Sequence, residues 1–414
     1  MKVEFKYLSK PRTVTLPDQT RILDTEAFEL VPDTYIEIIK SLLRPWGYNR
    51  SLFDMAKSAD NACVAIDAMI PTSILDMVLR PVLKTLHAAG LAYNDICILF
   101  AAEYPLEVKK SLVRSRVSKD IRDLYHIEVH DNFTLTHHQL TGNTSRNTPV
   151  YVDRRFLQAN MKIAIGRVIP HFAAGLFDAM GVVGLGLTSP DTLRSLYGLA
   201  GQDSDRDHFF DTAMHNEIIE LCKLAQVDVI VNILMSTRNR VMNIFSGAVE
   251  ETCKATESIL LSDYTETLQA PADAVVATSG FAGVESWYML VETVCNAAAM
   301  VKQNGSIVLI SDLLLQLDNK KILDCESSED FLSLFLDEKR WLGIFEILEK
   351  KLNHKTIYFP AGAKKNIRSK SNAGPRLCFT SSIRSAIMHI EKEYGTNYSC
   401  LALPEGISTF VKPL

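Results

Sequence analysis

Three possible metal ligands, His126, Glu128 and His130, occupy alternate positions of a strand-like segment. Side chains alternate between the two faces of a strand, so these three would share one face. Two histidines and a carboxylate on one face form a ligand set for a divalent metal. The alternative is that Ile127 and Val129 face the core while the polar set faces water. Because no second cluster at a defined spacing accompanies the three, the sequence favours the solvated face and predicts no metal site.

His171 is a second candidate for chemistry. It follows Pro170 at the end of an apolar strand that begins at Met161. Catalytic and binding groups gather at the carboxyl ends of parallel strands, and a histidine there can act as a general acid or base. A structural histidine that caps the loop is the alternative, and the sequence leaves it open.

The glycine-rich segment Gly181-Val-Val-Gly184-Leu-Gly186 has a superficial likeness to a phosphate-binding loop. Such a loop requires a strand, a tight glycine turn and a helix start in that order, and the nucleotide-binding version adds Lys-Ser or Lys-Thr. This segment has neither feature, so its glycines are predicted to serve loop geometry. No grouping of serine, histidine and acid suggests a hydrolase.

The composition excludes several classes of protein. The chain has 414 residues, of which 47% are hydrophobic and 22% charged, a balance that excludes disordered, collagenous and fibrous chains. Its 44 basic and 49 acidic residues give a net charge of −5. That charge argues against non-specific nucleic-acid binding and against adsorption to an anionic membrane. A small-molecule ligand is the expected partner, and the oligomeric state is open.

Cysteine usage and the N-terminal residues predict a cytoplasmic protein. The closest two of the eight cysteines are 22 positions apart, so neither a zinc knuckle nor an iron–sulfur cluster is expected. Scattered single cysteines are typical of reduced, buried thiols. No stretch approaches the roughly 18–20 apolar residues of a spanning helix, and the first residues alternate as a strand with no signal-peptide core.

Short apolar strands alternate with amphipathic helices along the chain, a pattern typical of a parallel sheet covered on both faces. The predicted strands are 62–66, 95–102, 161–166, 227–234, 272–278, 307–311, 356–359 and 400–403. The predicted helices are 73–89, 106–117, 205–225, 247–260, 285–303, 340–352 and 381–394. The fold class is therefore α/β.

The best domain boundary lies near Thr265–Ala272, where a helical stretch ends and a new strand begins. It predicts an N-terminal domain over 1–266 and a C-terminal domain over 267–414. A cleft between two α/β domains is a common place for a small ligand.

A series of distinctive segments runs in order along nearly the whole chain. The segments are His130-Asp131, Leu140-Thr-Gly-Asn-Thr-Ser-Arg-Asn-Thr-Pro-Val-Tyr-Val-Asp-Arg-Arg, Ala164-Ile-Gly-Arg-Val-Ile-Pro-His171-Phe-Ala-Ala-Gly175, His215-Asn-Glu-Ile-Ile-Glu, Val227-Asp-Val-Ile-Val-Asn232, Ala272-Asp-Ala-Val-Val-Ala-Thr-Ser-Gly280, Asn304-Gly-Ser-Ile-Val-Leu-Ile and Leu403-Pro-Glu-Gly406. Together they resemble the nickel-pincer lactate racemase family, and the resemblance implies two α/β domains with a cleft between them.

The resemblance also implies a cofactor and a reaction. In that family a nickel ion sits in a pyridinium-derived mononucleotide with two sulfur arms, which accepts a hydride from a 2-hydroxy acid. A lysine anchors the nucleotide, a histidine ligates nickel, and two further histidines exchange the hydroxyl proton. An arginine holds the substrate carboxylate, a task that suits its geometry.

In the N-terminal part, most of this machinery is missing. The family's Asp-x-Thr-Arg-Pro turn corresponds to Asp67-Ala-Met-Ile70-Pro, so the arginine has become isoleucine. The Gly-x-His-Arg motif corresponds to Ala102-Glu103-Tyr104-Pro105, which has neither histidine nor arginine.

The remaining family positions are also mostly substituted. The motif Pro-His-x-x-Ala-Gly-Phe-Ser-Gly-Gly-x-Lys corresponds to Pro170-His171-Phe-Ala-Ala-Gly-Leu-Phe-Asp-Ala-Met-Gly181, so the anchoring lysine has become glycine. The nickel-binding histidine falls on Tyr197. The Tyr-Gln-x-x-Lys helix corresponds to Tyr288-Met289-Leu-Val-Glu292, which keeps only the tyrosine. The resemblance therefore makes His171 and Asp67 the candidate catalytic residues, and Tyr197, Gly181 and Tyr288 the cofactor-contacting positions.

Three hypotheses of function follow. The first is a divergent family member that has lost nickel-pincer racemisation, has no nickel-pincer cofactor, and binds another small ligand or a partner in the cleft. The second is an isomerase-like enzyme that acts on a 2-hydroxy acid of the lactate type with an altered site, using His171 with Asp67 or Glu103 as acid and base. The third is an active racemase that holds its cofactor without a covalent bond.

Overall fold

A computed structural model describes residues 1–5, 10–24, 28–101, 109–200, 212–236, 240–279, 287–315, 319–334, 343–362, 364–369, 374–404, 406 and 409–413. The sequence candidate Glu103 and the rest of the 102–105 motif lie outside these ranges.

The strands are numbered in chain order. They are β1 Lys2–Phe5, β2 Arg12–Thr15, β3 Arg21–Ile22, β4 Ala62–Asp67, β5 Ile96–Ala101, β6 His126–Val129, β7 His138–Asn143, β8 Pro149–Asp153, β9 Met161–His171, β10 Gly175–Phe177, β11 Val229–Met235, β12 Val241–Gly247, β13 Thr265–Leu268, β14 Ala272–Thr278, β15 Val301–Ile310, β16 Thr356–Pro360, β17 Lys365–Arg368, β18 Arg376–Thr380, β19 Cys400–Leu403 and β20 Phe410–Pro413.

The helices are numbered in the same way. They are α1 Thr34–Leu43, α2 Leu52–Ala56, α3 Thr72–Ala88, α4 Lys110–Arg116, α5 Lys119–Leu124, α6 Arg154–Leu157, α7 Ala179–Gly184, α8 Pro190–Ala200, α9 Ala213–Leu224, α10 Val249–Asp263, α11 Trp287–Met300, α12 Asp312–Leu315, α13 Asn319–Asp324, α14 Ser328–Ser333, α15 Ile344–Lys351 and α16 Ile383–Tyr394.

Internal contacts divide the chain into two compact units. The first unit comprises Met1–Ala27, Pro170–Ala173 and Thr265–Leu414, and the second comprises Phe28–Ile169 and Ala174–Tyr264. The chain passes into the first unit at Thr265, inside the region where the sequence places a boundary. The assignment of 1–266 and 267–414 to two domains stays a prediction, because compactness does not show which pieces fold independently.

The second unit is built on a sheet with strand order β12-β11-β9-β4-β5-β6, and β10 pairs with β9. Neighbours from β11 to β6 are parallel, and β12 runs antiparallel to β11. Every residue of β4 is buried, which explains its unbroken apolar sequence. Helix α3 packs on this core through positions spaced three or four apart, namely Ile74, Leu75, Val78, Leu79 and Val82.

The first unit has its own sheet, with strand order β17-β18-β16-β15-β14-β19-β3. Its central pairs are parallel and its β17 edge is antiparallel. The N-terminal hairpin of β1 and β2 belongs to this unit, because Val3 and Phe5 are buried in the same core as Ile387 of α16. The two sheets confirm the α/β fold class.

Most element predictions hold within one or two residues, and two strands, β14 and β19, have the predicted bounds. The predicted helix 285–303 ends at Met300, because the chain continues directly into β15 at Val301. Three exposed polar residues near the start of that strand conceal it in the sequence. The first part of the predicted helix 205–225 falls outside the described residues, and α9 begins at Ala213.

Two further expectations concern the cysteines and the membrane. All eight cysteines are free thiols, and Cys97 alone is not fully buried. Among the described residues, no helix has the length and apolar character needed to cross a bilayer.

Candidate functional site

His171, Tyr288 and Glu292 form a buried polar cluster in the first unit. Glu292 lies one helical turn after Tyr288 on α11, so both side chains project from the same face. The Tyr288 hydroxyl donates to Glu292 Oε1 at 2.7 Å, and the Phe172 backbone N–H donates to Oε2 at 2.8 Å. His171 Nε2 lies 4.0 Å from Oε1. Each of the three side chains is at most 4% exposed, so the carboxylate is held by protein donors.

The backbone sets the tautomer of His171. This residue ends β9, and the Ala173 N–H donates to its Nδ1 at 3.0 Å. A nitrogen that accepts a hydrogen bond carries no proton, so the neutral imidazole has its proton on Nε2, the nitrogen that faces Glu292. The ring stacks on Phe172 with centroids 5.0 Å apart. An oriented histidine beside a carboxylate can hold or transfer a proton.

Asp67 lies in the second unit and has a different partner. It ends β4, and its Oδ2 accepts from Arg167 Nε at 2.5 Å, while its Oδ1 accepts from the Met69 N–H at 2.7 Å. Arg167 lies on the adjacent parallel strand β9, so both groups reach the same carboxyl end of the sheet. Asp67 is fully buried and Arg167 is 2% exposed, which makes this a buried ion pair.

The turn after Asp67 is held by Arg116. Ile70, where the racemase motif has arginine, is fully buried in the apolar core of the second unit. Arg116, the last residue of α4, donates to the backbone carbonyls of Ala68 and Ile70 and to the hydroxyl of Thr72. Burial lowers the pKa of the Arg116 guanidinium. All these donors fix the turn, so this cation has a structural task.

Gly181, where the motif has the anchoring lysine, is covered by an aromatic ring. It lies within α7, and a Cβ built on it would come within 2.6 Å of Cδ2 of Phe177. Phe177 stands where the motif has serine. Compared with the motif, the larger of the two side chains is at position 177 and not at position 181. The phenyl ring of Phe177 fills the space beside Gly181.

The glycine-rich segment is helical from Gly181 to Gly184, where a loop was predicted, and Gly186 lies in the turn that follows. Asp178 caps α7 by accepting from the N–H groups of Met180 and Gly181. Gly166 of β9 permits the close approach of this helix start, since a Cβ there would lie 2.6 Å from the Ala179 nitrogen. Burial raises the pKa of the Asp178 carboxyl. The segment serves packing at this position.

The remaining predicted positions divide between the units. Tyr197 is fully buried on α8 in the second unit. The structure brings His171 and Tyr288 together in the first unit, with ring centroids 6.4 Å apart. Asp67, Gly181 and Tyr197 lie in the second unit.

The three alternating residues of the first motif do not act as one set. His126 and Glu128 are an ion pair at 3.1 Å near the surface. His130 follows the end of β6 and is buried, with its Nδ1 at 2.7 Å from Asp153 Oδ2 and its Nε2 at 3.3 Å from Nε2 of His138. In the described ranges, no group of three His, Cys, Asp or Glu side chains is placed to hold a metal.

Sequence reasoning missed the partners more than the candidates. Glu292 was identified only as a substituted motif position and not as the acceptor for Tyr288, although the spacing of four on a helix was a usable signal. Arg167 was part of a family segment, but its pairing with Asp67 depends on strand order, which no local pattern encodes. No sequence pattern indicated that the ring of Phe177 packs against Gly181; this contact is known from the structure.

Comparison with known proteins finds similarity to lactate racemases. Residues 7–195 match the family model described as lactate racemase N-terminal domain. A curated lactate racemase from Thermoanaerobacterium thermosaccharolyticum is 21% identical over 292 residues, which is 67% of this chain. That alignment spans 65% of the length of the relative. These matches confirm the resemblance to the lactate racemase family.

Solved structures agree on the fold. The lactate racemase apoprotein from the same organism superposes with a TM-score of 0.74 at 17% identity, covering 99% of this chain and 100% of the other. A protein from Thermotoga maritima superposes with a TM-score of 0.60 at 11% identity, covering 92% and 98%. At these identities the similarity establishes a lactate-racemase-like fold, and the activity is a separate question.

Proposed function

We propose that this protein is a divergent relative of lactate racemase that has lost nickel-pincer racemisation and binds another small ligand or a partner. The observation that carries the proposal is the environment of Glu292. This carboxylate replaces the lysine of the racemase motif and accepts from Tyr288 and the Phe172 N–H beside His171.

A carboxylate at this position opposes the family's ligands. A phosphate or carboxylate bound nearby would meet a negative charge where the motif supplies a positive one, and like charges repel strongly when buried. Removing one charged hydrogen bond to a ligand costs about 1.5–3 kcal/mol of binding free energy. The protein donors around Glu292 stabilise the carboxylate in place, so the cluster supports a site that no longer accepts the family's anions.

Gly181 and Ile70 support the same proposal. Glycine has no side chain for an amide tether, and the ring of Phe177 fills the space beside it. Ile70 is fully buried in an apolar core and cannot bind a carboxylate. The residues present therefore do not fit the nickel-pincer nucleotide.

Native mass spectrometry with elemental analysis of the purified full-length protein tests the loss of cofactor. We expect no stoichiometric nickel and no covalent mass increase. A co-purifying small molecule of another kind would identify the ligand directly. Stoichiometric nickel together with the mass of the pincer nucleotide would overturn the proposal.

A reconstitution assay covers the case of a cofactor held without a covalent bond. The protein is incubated with supplied nickel-pincer cofactor, and the interconversion of D- and L-lactate is followed by chiral chromatography. The Thermoanaerobacterium relative, under the same conditions, is the positive control. We expect a rate equal to that of the cofactor alone, and racemisation above that background would contradict the proposed loss.

A second candidate, an enzyme of altered chemistry on a 2-hydroxy acid, is favoured by the fixed tautomer of His171. Its Nε2 proton faces Glu292, an arrangement suited to moving a proton. The assay is exchange of the α-hydrogen of lactate with D2O, followed by NMR, for the wild type and His171→Gln. Exchange that disappears in the variant would establish this second function, and equal exchange in both proteins would exclude it.

A further inference from the structure

A polar cavity of about 380 Å³ lies in the first unit, away from the His171 cluster, between α16 and the β16–β18–β17 edge of the sheet. Its walls include Tyr358 and Cys378 from the strands and Ser385 and His389 from the helix. The volume lies at the lower end of the range of small-molecule sites. Neither the family resemblance nor the proposed function uses this cavity.

Cations line the cavity without carboxylate partners. Lys364, Lys365 and Arg376 all contribute to its walls, and no acidic residue of the described ranges does. Within the described part of the chain, none of these three forms an ion pair with a carboxylate. Lys365 donates instead to the backbone carbonyl of Leu323. Lys302 of the same unit, in contrast, is paired with Asp273 at 2.6 Å.

The register of the edge strands adds a further positive charge. Arg368 of β17 lies directly opposite Arg376 of β18, and the two side chains share one face because their strands pair antiparallel. Like charges directly opposite each other destabilise a sheet. A bound anion beside them would convert that repulsion into attraction. Glu393 on α16 is a carboxylate that acts electrostatically on both Tyr358 and Cys378.

Neutral polar groups complete the wall. His389 Nδ1 lies 2.6 Å from the Ser385 carbonyl and donates to it, so Nε2 of the neutral ring is an acceptor and becomes a donor only when the ring is protonated. The hydroxyl of Ser385 and the amide of Asn366 also line the cavity. Helix α16, twelve residues long, begins at this end, and its N-terminus favours negative charge.

We propose that this cavity binds a phosphate group, either free phosphate or the phosphate of a small phosphomonoester. Unpaired cations with neutral donors around a small volume match a compact dianion, since arginine and lysine bind phosphate through charge-assisted hydrogen bonds. The three lining cations outnumber Glu393, the carboxylate that acts on Tyr358 and Cys378, so this wall is net positive.

Isothermal titration calorimetry with the full-length protein tests the proposal. The probes are inorganic phosphate and glycerol 3-phosphate at pH 8 and constant ionic strength, with acetate as a monovalent control. We expect saturable binding of phosphate and none of acetate. The double variant Lys364→Gln/Arg376→Gln should weaken phosphate binding at least tenfold.

A matched variant separates this site from general charge effects. Lys119→Gln/Arg194→Gln removes the same charge from two exposed residues of the second unit, each paired with an acid on its own helix. It should bind phosphate as the wild type does. Saturable binding of both probes identifies a phosphomonoester site, and binding of inorganic phosphate alone identifies a free-phosphate site. Absence of saturable binding, or equal weakening by both double variants, would overturn the proposal.

Discussion

The two units treat their substituted racemase positions in opposite ways. In the first unit, the position of the lysine became Glu292, and a buried polar cluster with His171 and Tyr288 remains. In the second unit, the positions of the lysine and the arginine became Gly181 and Ile70, and apolar packing has taken their place. A buried polar group persists where neighbours satisfy it and is otherwise replaced by packing.

Asp67 shows the same rule at a retained residue. Its family neighbour at position 70 is lost, yet the carboxylate remains paired with Arg167 at 2.5 Å. Retention at this position therefore follows from the ion pair and does not by itself indicate catalysis. His171 is retained as well, but the residue beside it, Glu292, differs from the lysine of the family motif. A retained partner therefore does not explain the retention of His171.

The largest expected effect is that of Asp67→Ala. It removes the counter-charge of the buried Arg167 guanidinium, and breaking a buried pair from one side costs about 3–5 kcal/mol in the free energy of unfolding. Denaturant unfolding measures the loss. The control is Asp123→Asn, which removes an exposed ion pair with Lys119 and should cost less than about 0.5 kcal/mol. Equal losses in the two variants would mean that the buried pair contributes nothing special.

Glu292→Lys restores the residue of the racemase motif and should nevertheless destabilise the protein by about 3 kcal/mol, because an unpaired buried charge is costly. The new cation would replace the acceptor of the Phe172 N–H with a donor. Tyr288→Phe removes one hydrogen bond and should cost about 1 kcal/mol. Denaturant unfolding measures both losses. If Glu292→Lys were as stable as the wild type, the cluster would not depend on the carboxylate. The statement that neighbouring donors stabilise a buried polar cluster in the first unit would then be wrong.

More of the fold than of the candidate site could be predicted from the sequence. Alternating strands and helices were predictable because buried parallel strands have continuous apolar sequences, as β4 and β14 do. The pairings Asp67–Arg167 and His171–Glu292 were not, because each joins residues at least 100 positions apart. Gly181 was predicted as a loss, but the ring that fills its space came only from packing. Local patterns specify elements, and the partners of a side chain depend on topology.

The exchange between Phe177 and Gly181 is testable by a double-mutant cycle. Gly181→Ala alone should cost about 2 kcal/mol, because its Cβ meets the Phe177 ring at 2.6 Å and overpacking a core costs about 1–3 kcal/mol. In the background of Phe177→Ser, the residue of the racemase motif, the same change should cost less than about 1 kcal/mol, the ordinary range when the ring is absent. Additive losses would show that the two positions are independent. The ring of Phe177 would then not fill the space that a side chain at position 181 would occupy.

The smallest expected effect is a pH dependence that comes from His138. Burial, followed by the nearby charge of His130, lowers the pKa of His138 from 6.5 to about 4. In the unfolded chain, His138 therefore binds a proton below about pH 6.5, whereas in the folded protein it binds one only below about pH 4. Stability from this group is complete above pH 6.5, falls as the pH drops, and levels off below pH 4, with a total loss of about 2 kcal/mol after allowance for solvent screening.

Urea unfolding between pH 7.5 and 4.5 measures this loss, because Asp153, the carboxylate beside His130, titrates in a lower window. Burial raises the pKa of Asp153, but hydrogen bonds from Arg155 and His130 bring it well below its usual 3.8. His138→Gln keeps a hydrogen-bonding amide toward His130 but cannot be protonated. The free energy of unfolding of this variant should therefore fall less steeply with acid than that of the wild type. His354→Asn, at an exposed histidine with no ion pair among the described residues, should leave the wild-type slope unchanged. If both variants had the wild-type slope, His138 would be accepting its proton in the folded state, and the buried histidine pair would have to tolerate that charge.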